Sequence, residues 1–393
     1  MRIAYFAFDQ FIPSKHAGFV HTFSIVRSLQ EIGHDITLYA LPAPPKLYNL
    51  LSWSDTYQNI KVKYVRFTVS FRPGVVAFIP LNLPSFINAW KCLSDQKPEL
   101  IHERFHTPNP FGRYLAEKVH IPRILEVNSL YIEDGAYKNR LTVKLATIDR
   151  SKQFENADAI ITQTGSLKKI ILTLTDKPVY VVPNGVNTEL FRPDAPSSIR
   201  QDLNLKPEDI IVTFLGSFRE WHGVHRIPEI ASEIKKRHSN VKFVLIGSGP
   251  LFAQVNSIKT DNMFLTGPVE YEKIPGLLAS SDILIAPFDN SRFDYFEKYG
   301  FWWNPVKLFE YASAGRPVVS YDYPEIRNIA GECGLLAEPG NMNDFIDKLS
   351  TLIENSRLRI ELGKKGRAIA VREYDWKVRA LQTENVYKQV LKY

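Results

Sequence analysis

One structural plan appears twice in this chain. An apolar strand, a glycine-bearing polar loop, a helix and a second strand span residues 2–40, and the same succession returns over residues 210–250. In the first copy, residues 2–8 read as a buried strand and 9–18 as the loop. Residues 20–33 then carry Phe23, Ile25, Val26, Leu29 and Ile32 at helical spacing. Gly33-His34 closes that helix before the strand 35–40. In the second copy, strand 210–215 ends in Gly216, the loop runs through Gly223, and a helix follows over 224–237. Strand 241–246 then ends in Gly247-Ser248-Gly249-Pro250. Each unit predicts parallel strand pairing, so two starts predict two open α/β domains.

At 393 residues the chain exceeds one compact core, which agrees with that count. Further strands are expected at 61–69, 100–101, 123–127 and 159–162, with a helix at 111–119. Beyond the midpoint they are expected at 263–265, 283–286, 317–320 and 335–336. The seam falls within 181–193, giving domains 1–190 and 191–375 and a last helix, 376–393. Cys92 and Cys333 lie far apart and offer neither a disulfide framework nor a cysteine metal site. The apolar run at 3–8 meets Asp9 too soon for a signal peptide. The uncharged stretch 73–90 carries three prolines, so a loop and a short helix are expected there instead of a membrane span. A net charge of +7 suits anionic ligands or an anionic membrane surface, and no Arg-rich recognition helix or stacking platform points to nucleic acid.

In open α/β sheets ligands sit beyond the carboxyl ends of the strands. Two such domains facing across a cleft would place the site there. The most informative segment is Asn304-Pro305-Val306-Lys307-Leu308-Phe309-Glu310-Tyr311-Ala312-Ser313-Ala314-Gly315-Arg316-Pro317-Val318-Val319. Asn304 reads as a cap, Pro305 as the first helical residue, and Gly315-Arg316-Pro317 as the stop before a buried strand. The free amides of that short helix favour a diphosphate. Lys307 and Glu310 share one helix face. They read either as an exposed ion pair or as a phosphate-binding cation with a ribose-binding carboxylate one turn deeper.

Residues 306–319 resemble the second half of the signature of glycosyltransferase family 4, the retaining enzymes of the GT-B fold, with Ser313 in place of an alanine. Glu310 matches the family's ribose-binding glutamate. The resemblance continues in Gly33-His34-Asp35-Ile36-Thr37-Leu38 and in Val181-Val182-Pro183-Asn184-Gly185-Val186-Asn187 with Phe191 and Pro193. It extends to the glycine loop ending in Pro250 and to Asp375-Trp376, which precedes a helix of the type that crosses back to the N-terminal domain.

The departures are specific. Eight residues before Glu310 stands Trp302 where the family has a sugar-contacting glutamate; Glu297 is the nearby substitute, and Trp302 and Trp303 either shape a sugar pocket or pack. The family's phosphate-binding arginine and lysine fall on Ser217 and His222, so Arg219 and Lys307 take those roles. Asn128 stands near the end of a strand where many relatives have a histidine, and would replace it on the donor sugar. Gly18 corresponds to a loop glycine near the donor phosphates, and Val269 to the backbone that meets the nucleobase. His21, Glu103 and Arg104 are candidates for the acceptor side.

The resemblance implies transfer, with retention, of a hexose-type sugar from a UDP- or GDP-linked donor to a glycan or lipid-linked acceptor. Arg219, Lys307 and the helix amides at Val306 and Lys307, in the turn that Asn304 and Pro305 open, would stabilise the departing phosphate, with Glu297 at the sugar. No cofactor and no metal are expected, because cations and a helix dipole suffice for the diphosphate. A cytoplasmic location with peripheral contact at the inner membrane face is expected. Acceptor candidates are the loops 11–16, 43–54 and 131–147, and the basic, apolar stretch 137–152 for a membrane. Three rivals stand beside this reading: a non-catalytic sugar-nucleotide-binding scaffold, a nucleotide-sugar epimerase, and a dehydrogenase. The last is disfavoured because neither start has G-x-G-x-x-G.

Overall fold

The computed structural model describes residues 1–14, 17–42, 53–65, 75–107, 109–130, 139–291 and 293–392. The chain divides into two compact units, Met1–Pro183 with Trp376–Tyr393, and Asn184–Asp375.

The first unit is built on strands β1 (Arg2–Ile12), β2 (Asp35–Pro42), β3 (Trp53–Tyr57), β4 (Ile60–Tyr64), β5 (Leu100–Arg104), β6 (Arg123–Val127), β7 (Ala159–Thr162) and β8 (Val179–Val181). They form one sheet in the order β3-β4-β2-β1-β5-β6-β7-β8, parallel except for the β3–β4 hairpin. Both faces are covered. Ile3, Tyr5, Leu100 and Ile124 point to the side packed by helices Ala17–Glu31 and Trp376–Leu391. Ala4, Phe6, Phe8 and Ile101 point to the side packed by Val75–Gln96 and Phe111–Val119. This two-sided burial explains why the strands read as continuous apolar runs. The last helix belongs to this core: Trp376, Ala380 and Tyr387 are buried in it, each large side chain stabilising by about 1.5–3 kcal/mol.

Four local expectations change. β1 runs to Ile12, not Phe8, and the following helix starts at Ala17, so Gly18 lies in its first turn instead of in a loop. A Cβ on Gly18 would stand 2.6 Å from Gln10 Oε1, a movable side-chain end, so the position does not demand glycine for space. His102, Glu103 and Arg104 lie inside β5, not after it. The 73–90 stretch contributes to a single helix, Val75–Gln96, two prolines notwithstanding. Among the described residues no helix is long and apolar enough to cross a membrane.

The second unit carries β9 (Ile210–Leu215), β10 (Val241–Ile246), β11 (Met263–Gly267), β12 (Ile283–Ala286), β13 (Val318–Tyr321) and β14 (Gly334–Ala337). Their order is β11-β10-β9-β12-β13-β14, with parallel pairings throughout. Chain order reverses between β9 and β12, the crevice where such sheets hold ligands. The corresponding reversal in the first unit lies between β1 and β5.

Candidate functional site

Both reversal points carry buried charge. In the second unit the helix Val306–Ser313 is fastened across the reversal by Tyr311, whose hydroxyl accepts from the Leu215 amide at 2.9 Å and donates to the Ile285 carbonyl at 3.3 Å. One turn earlier, Lys307 is carried into the crevice. Its Nζ lies 4.6 Å from the Phe214 ring centroid and 5.3 Å from that of Phe288. It sits 2.6 Å from where a Cβ on Gly216 would stand, so glycine leaves the ammonium its space. Lys307 is 8 % exposed, and its Nζ has no hydrogen-bond partner among the described residues. Burial lowers its pKa to about 7, with Glu310 opposing. The Glu310 carboxyl is raised to about 7 by burial, with Lys307 opposing.

His222 reaches the same crevice. Its Nδ1 lies 2.7 Å from the Ser217 carbonyl and 3.1 Å from Ser217 Oγ. A carbonyl only accepts, so Nδ1 carries the proton and Nε2 presents a lone pair. Burial, reinforced by the Lys307 charge, holds the ring well below the usual histidine range and therefore neutral. Arg219 is exposed, its guanidinium 5.1 Å from the Trp221 ring centroid.

The loops after β9, β10 and β12 are locked together by backbone contact. Phe218 N donates to Ser248 O at 3.0 Å, and Leu251 N to Phe218 O at 2.9 Å. Gly223 has φ +67°, and a Cβ there would fall 1.6 Å from the Pro287 carbonyl oxygen. Gly223→Ala is therefore expected to destabilise by about 2–4 kcal/mol, through left-handed strain and a backbone clash, measured by urea unfolding. A shift below about 0.5 kcal/mol would contradict this packing.

Asn304 does not cap. Its Oδ1 accepts from the Asn184 amide at 2.7 Å, and Asn184 Nδ2 donates to its carbonyl at 2.6 Å. Pro305 is the cap residue and Val306 the first helical one. Leu308 N returns to Pro305 O, while Val306 and Lys307, at the helix start, have no residue within the helix to accept from their amides. Trp302, 1 % exposed, packs against Tyr295, Phe296 and Tyr299, so its position in the aromatic core answers the choice between shaping and packing. Val269 packs its side chain toward Ile211, Val244 and Ile246. Glu297 lies on the helix Asp294–Tyr299, and its side chain is outside the described residues.

In the first unit the centre is Glu126, a residue the sequence reading passed over as part of a strand end. Its carboxylate accepts from Tyr5 Oη at 2.7 Å, His102 Nε2 at 2.9 Å, His21 Nε2 at 2.6 Å, Arg104 Nη1 at 3.3 Å and Asn128 Nδ2 at 2.5 Å. Burial alone would raise this carboxyl; the His21 charge, hydrogen bonds from both histidines and the Arg104 charge outweigh it and hold the group well below its ordinary value. Arg104 also reaches Asp9, and His102 Nδ1 lies 2.7 Å from Tyr387 Oη on the last helix. A carboxylate within Ile124-Leu125-Glu126-Val127 was the available signal, since an acid in an apolar strand must be paired. Because the ionised carboxylate only accepts, Asn128 must give it the amide nitrogen. Its buried Oδ1 then has no partner among the described residues and is left as an acceptor.

Thus His21, Arg104 and Asn128 come together, and Glu103 does not join them. Glu103 points to the other face of β5, pairs with Arg123 Nε at 2.6 Å, and covers Gly112, where a Cβ would fall 2.0 Å from its carboxylate. Its place on the acceptor side is replaced by a buried ion pair. Residues 15–16, 43–52 and 131–138 of the acceptor loops lie outside the described residues.

Two open, mainly parallel sheets, each with polar groups gathered at its reversal point, have the architecture of the GT-B fold, and the family models below make the chain a glycosyltransferase. Among solved structures, sucrose-phosphate synthase from Thermosynechococcus elongatus superposes with a TM-score of 0.76 at 16 % identity, covering 100 % of this chain and 99 % of that one. HepE from Anabaena, solved with UDP-glucose, gives 0.73 at 14 % identity, covering 99 % and 100 %. Residues 19–190 match the family model described as Glycosyltransferase Family 4, and residues 209–355 match Glycosyl transferases group 1. The chain belongs to glycosyltransferase family 4. It is 23 % identical over 94 % of its length to an uncharacterized glycosyltransferase of Methanocaldococcus jannaschii, 94 % of which is covered. It is 26 % identical over 85 % to the N,N'-diacetylbacillosaminyl-diphospho-undecaprenol alpha-1,3-N-acetylgalactosaminyltransferase of Campylobacter jejuni, 87 % of which is covered.

Proposed function

We propose that this enzyme transfers a hexose-type sugar, with retention, from a UDP- or GDP-linked donor held by the second unit to a glycan or lipid-linked acceptor. The observation that carries the donor assignment is the buried Lys307 ammonium at the β9–β12 reversal, without a hydrogen-bond partner among the described residues and one helical turn from the buried Glu310. A diphosphate there would recover the charge pairing that burial denies Lys307, and would meet the Val306 and Lys307 amides. Glu310 would accept from the ribose hydroxyls. As the sugar–phosphate bond breaks, Lys307, the helix amides and exposed Arg219 would take the growing negative charge, each preorganised donor contributing about 3–4 kcal/mol. The leaving phosphate would take the acceptor's proton, and Asn128 Oδ1 would accept from a sugar hydroxyl. HepE's complex with UDP-glucose and the lipid-diphosphate substrate named for the Campylobacter relative support the two substrate classes. A membrane-borne acceptor is further supported by the helix Arg140–Asn156, where Leu141, Lys144, Ile148 and Lys152 are exposed along one face.

The test is calorimetry of a panel of nucleotide diphosphate sugars against the wild type and Glu310→Ala. One donor is expected to bind tightly and to lose at least about tenfold in affinity in the variant, as loss of a charge-assisted hydrogen bond requires. Equal binding by both proteins would remove Glu310 from the site.

A further inference from the structure

A cavity lined wholly by the second unit lies away from Lys307. It has a volume of about 650 Å³ and lies where the chain leaves the helix Val306–Ser313 and meets the helix Ser356–Ile369. That volume is ample for a ligand of nucleotide or headgroup size.

Five cationic residues line it: Arg316, Arg359, Lys364, Arg367 and Arg372. Asp282 is the one acid among the lining residues, and its carboxylate is already taken by Arg200 at 2.9 Å and the Ile211 amide at 2.9 Å. Three of the guanidinium groups are held by neutral acceptors. Arg316 donates to the carbonyls of Ala279 and Pro193, and its buried Nε has no partner among the described residues. Arg359 donates to the carbonyls of Leu352 and Ile353, and Arg367 to those of Thr188, Phe191 and Ser313. Carbonyls fix a guanidinium in place without cancelling its charge. Lys364 is exposed and makes no ion pair among the described residues; only Arg372 is paired, with Glu373.

Two of the lining residues are exposed and apolar. Ile360 is 59 % exposed and Val371 49 %, about three helical turns apart along the lining. Val371 and Arg372 are carried by a π-helical segment, Ala370–Tyr374, an uncommon conformation found frequently at functional sites. Five fixed cations against one lining acid, beside exposed apolar side chains, select one ligand chemistry: a phosphate group on an apolar body.

We propose that this cavity is a second anion site, binding a phosphate ester whose apolar portion lies over Ile360 and Val371. Soluble esters and anionic lipid headgroups share that chemistry. This site does not depend on the donor assignment.

The experiment titrates the full chain with monomeric dihexanoyl phosphatidic acid by calorimetry, comparing wild type, Lys364→Glu and Glu310→Ala. Lys364 is exposed, so its variant keeps the fold. Wild type and Glu310→Ala are expected to bind equally, and Lys364→Glu to bind about tenfold or more weakly. Absence of binding, binding unchanged by Lys364→Glu, or binding lost in Glu310→Ala would overturn the proposal, the last by moving the ligand to the donor site. Flotation with phosphatidylcholine vesicles, with or without phosphatidic acid, then separates the sources. Capture that needs both phosphatidic acid and Lys364 assigns a lipid headgroup; soluble binding without capture assigns a free ester.

Discussion

Lys307→Met is expected to cut turnover by about two to three orders of magnitude while leaving the free enzyme at least as stable as the wild type. The two effects have one cause. An ammonium between Phe214 and Phe288 with no hydrogen-bond partner among the described residues costs folding free energy, and a methionine fills similar space without that cost. In the proposed reaction the same ammonium is the buried cation offered to the leaving phosphate. The pH dependence follows from its lowered value of about 7. Below that value the lysine is charged in both folded and unfolded chains, and the full burial cost is present. Between about 7 and the unfolded value near 10.4 the unfolded chain binds more protons, so stability rises with pH, by up to about 1.4 kcal/mol per unit. Wild type should therefore gain on Lys307→Met between pH 7 and 10, as followed by urea unfolding alongside kcat/KM at pH 7. A variant retaining near wild-type kcat/KM would remove Lys307 from the reaction.

Glu126→Ala should be the most damaging single change in the first unit, at about 3–5 kcal/mol, because it strips the acceptor from several buried donors at once. Glu126→Gln separates charge from shape. Its amide nitrogen would face a donor wherever it is placed, so it should still cost about 3 kcal/mol. Since the folded carboxyl is held well below its unfolded value, its contribution is present above about pH 4.3 and fades as pH falls toward the folded value. The gap between wild type and Glu126→Gln should narrow in acid. Hydrogen exchange in β5 and β6 reads this locally, and indifference of those strands to either variant would refute the hub.

The sheets were legible because parallel strands buried on both faces leave uninterrupted apolar runs: β6, β7, β10 and β12 fall at the residues read from sequence. The extent of β5 was not, since His102, Glu103 and Arg104 look like a loop until their partners on β1, β6 and the last helix are known. Glu103 and Arg104 sit on consecutive positions, yet strand alternation sends one to Arg123 and the other to Glu126. Lys307 and Glu310 were readable from helical spacing, but that both are buried depends on Phe214, Phe288 and Gly216, none adjacent in sequence. Asn304 shows the opposite failure, a residue with strong local capping preference recruited by Asn184 from far along the chain.

The helix Trp376–Leu391 also sets an order of assembly during synthesis. When residue 183 leaves the ribosome, the first unit still lacks Trp376, Ala380 and Tyr387, which complete its core and the partner of His102. The intervening stretch takes roughly 10–40 s to translate. The second unit, contiguous in sequence, can close during that interval, so the portion made first is the portion finished last. An expressed fragment ending at Pro183 would be an open sheet with an uncovered apolar face, and bringing the terminal helix next to Met1 by circular permutation would let the first unit fold as it emerges.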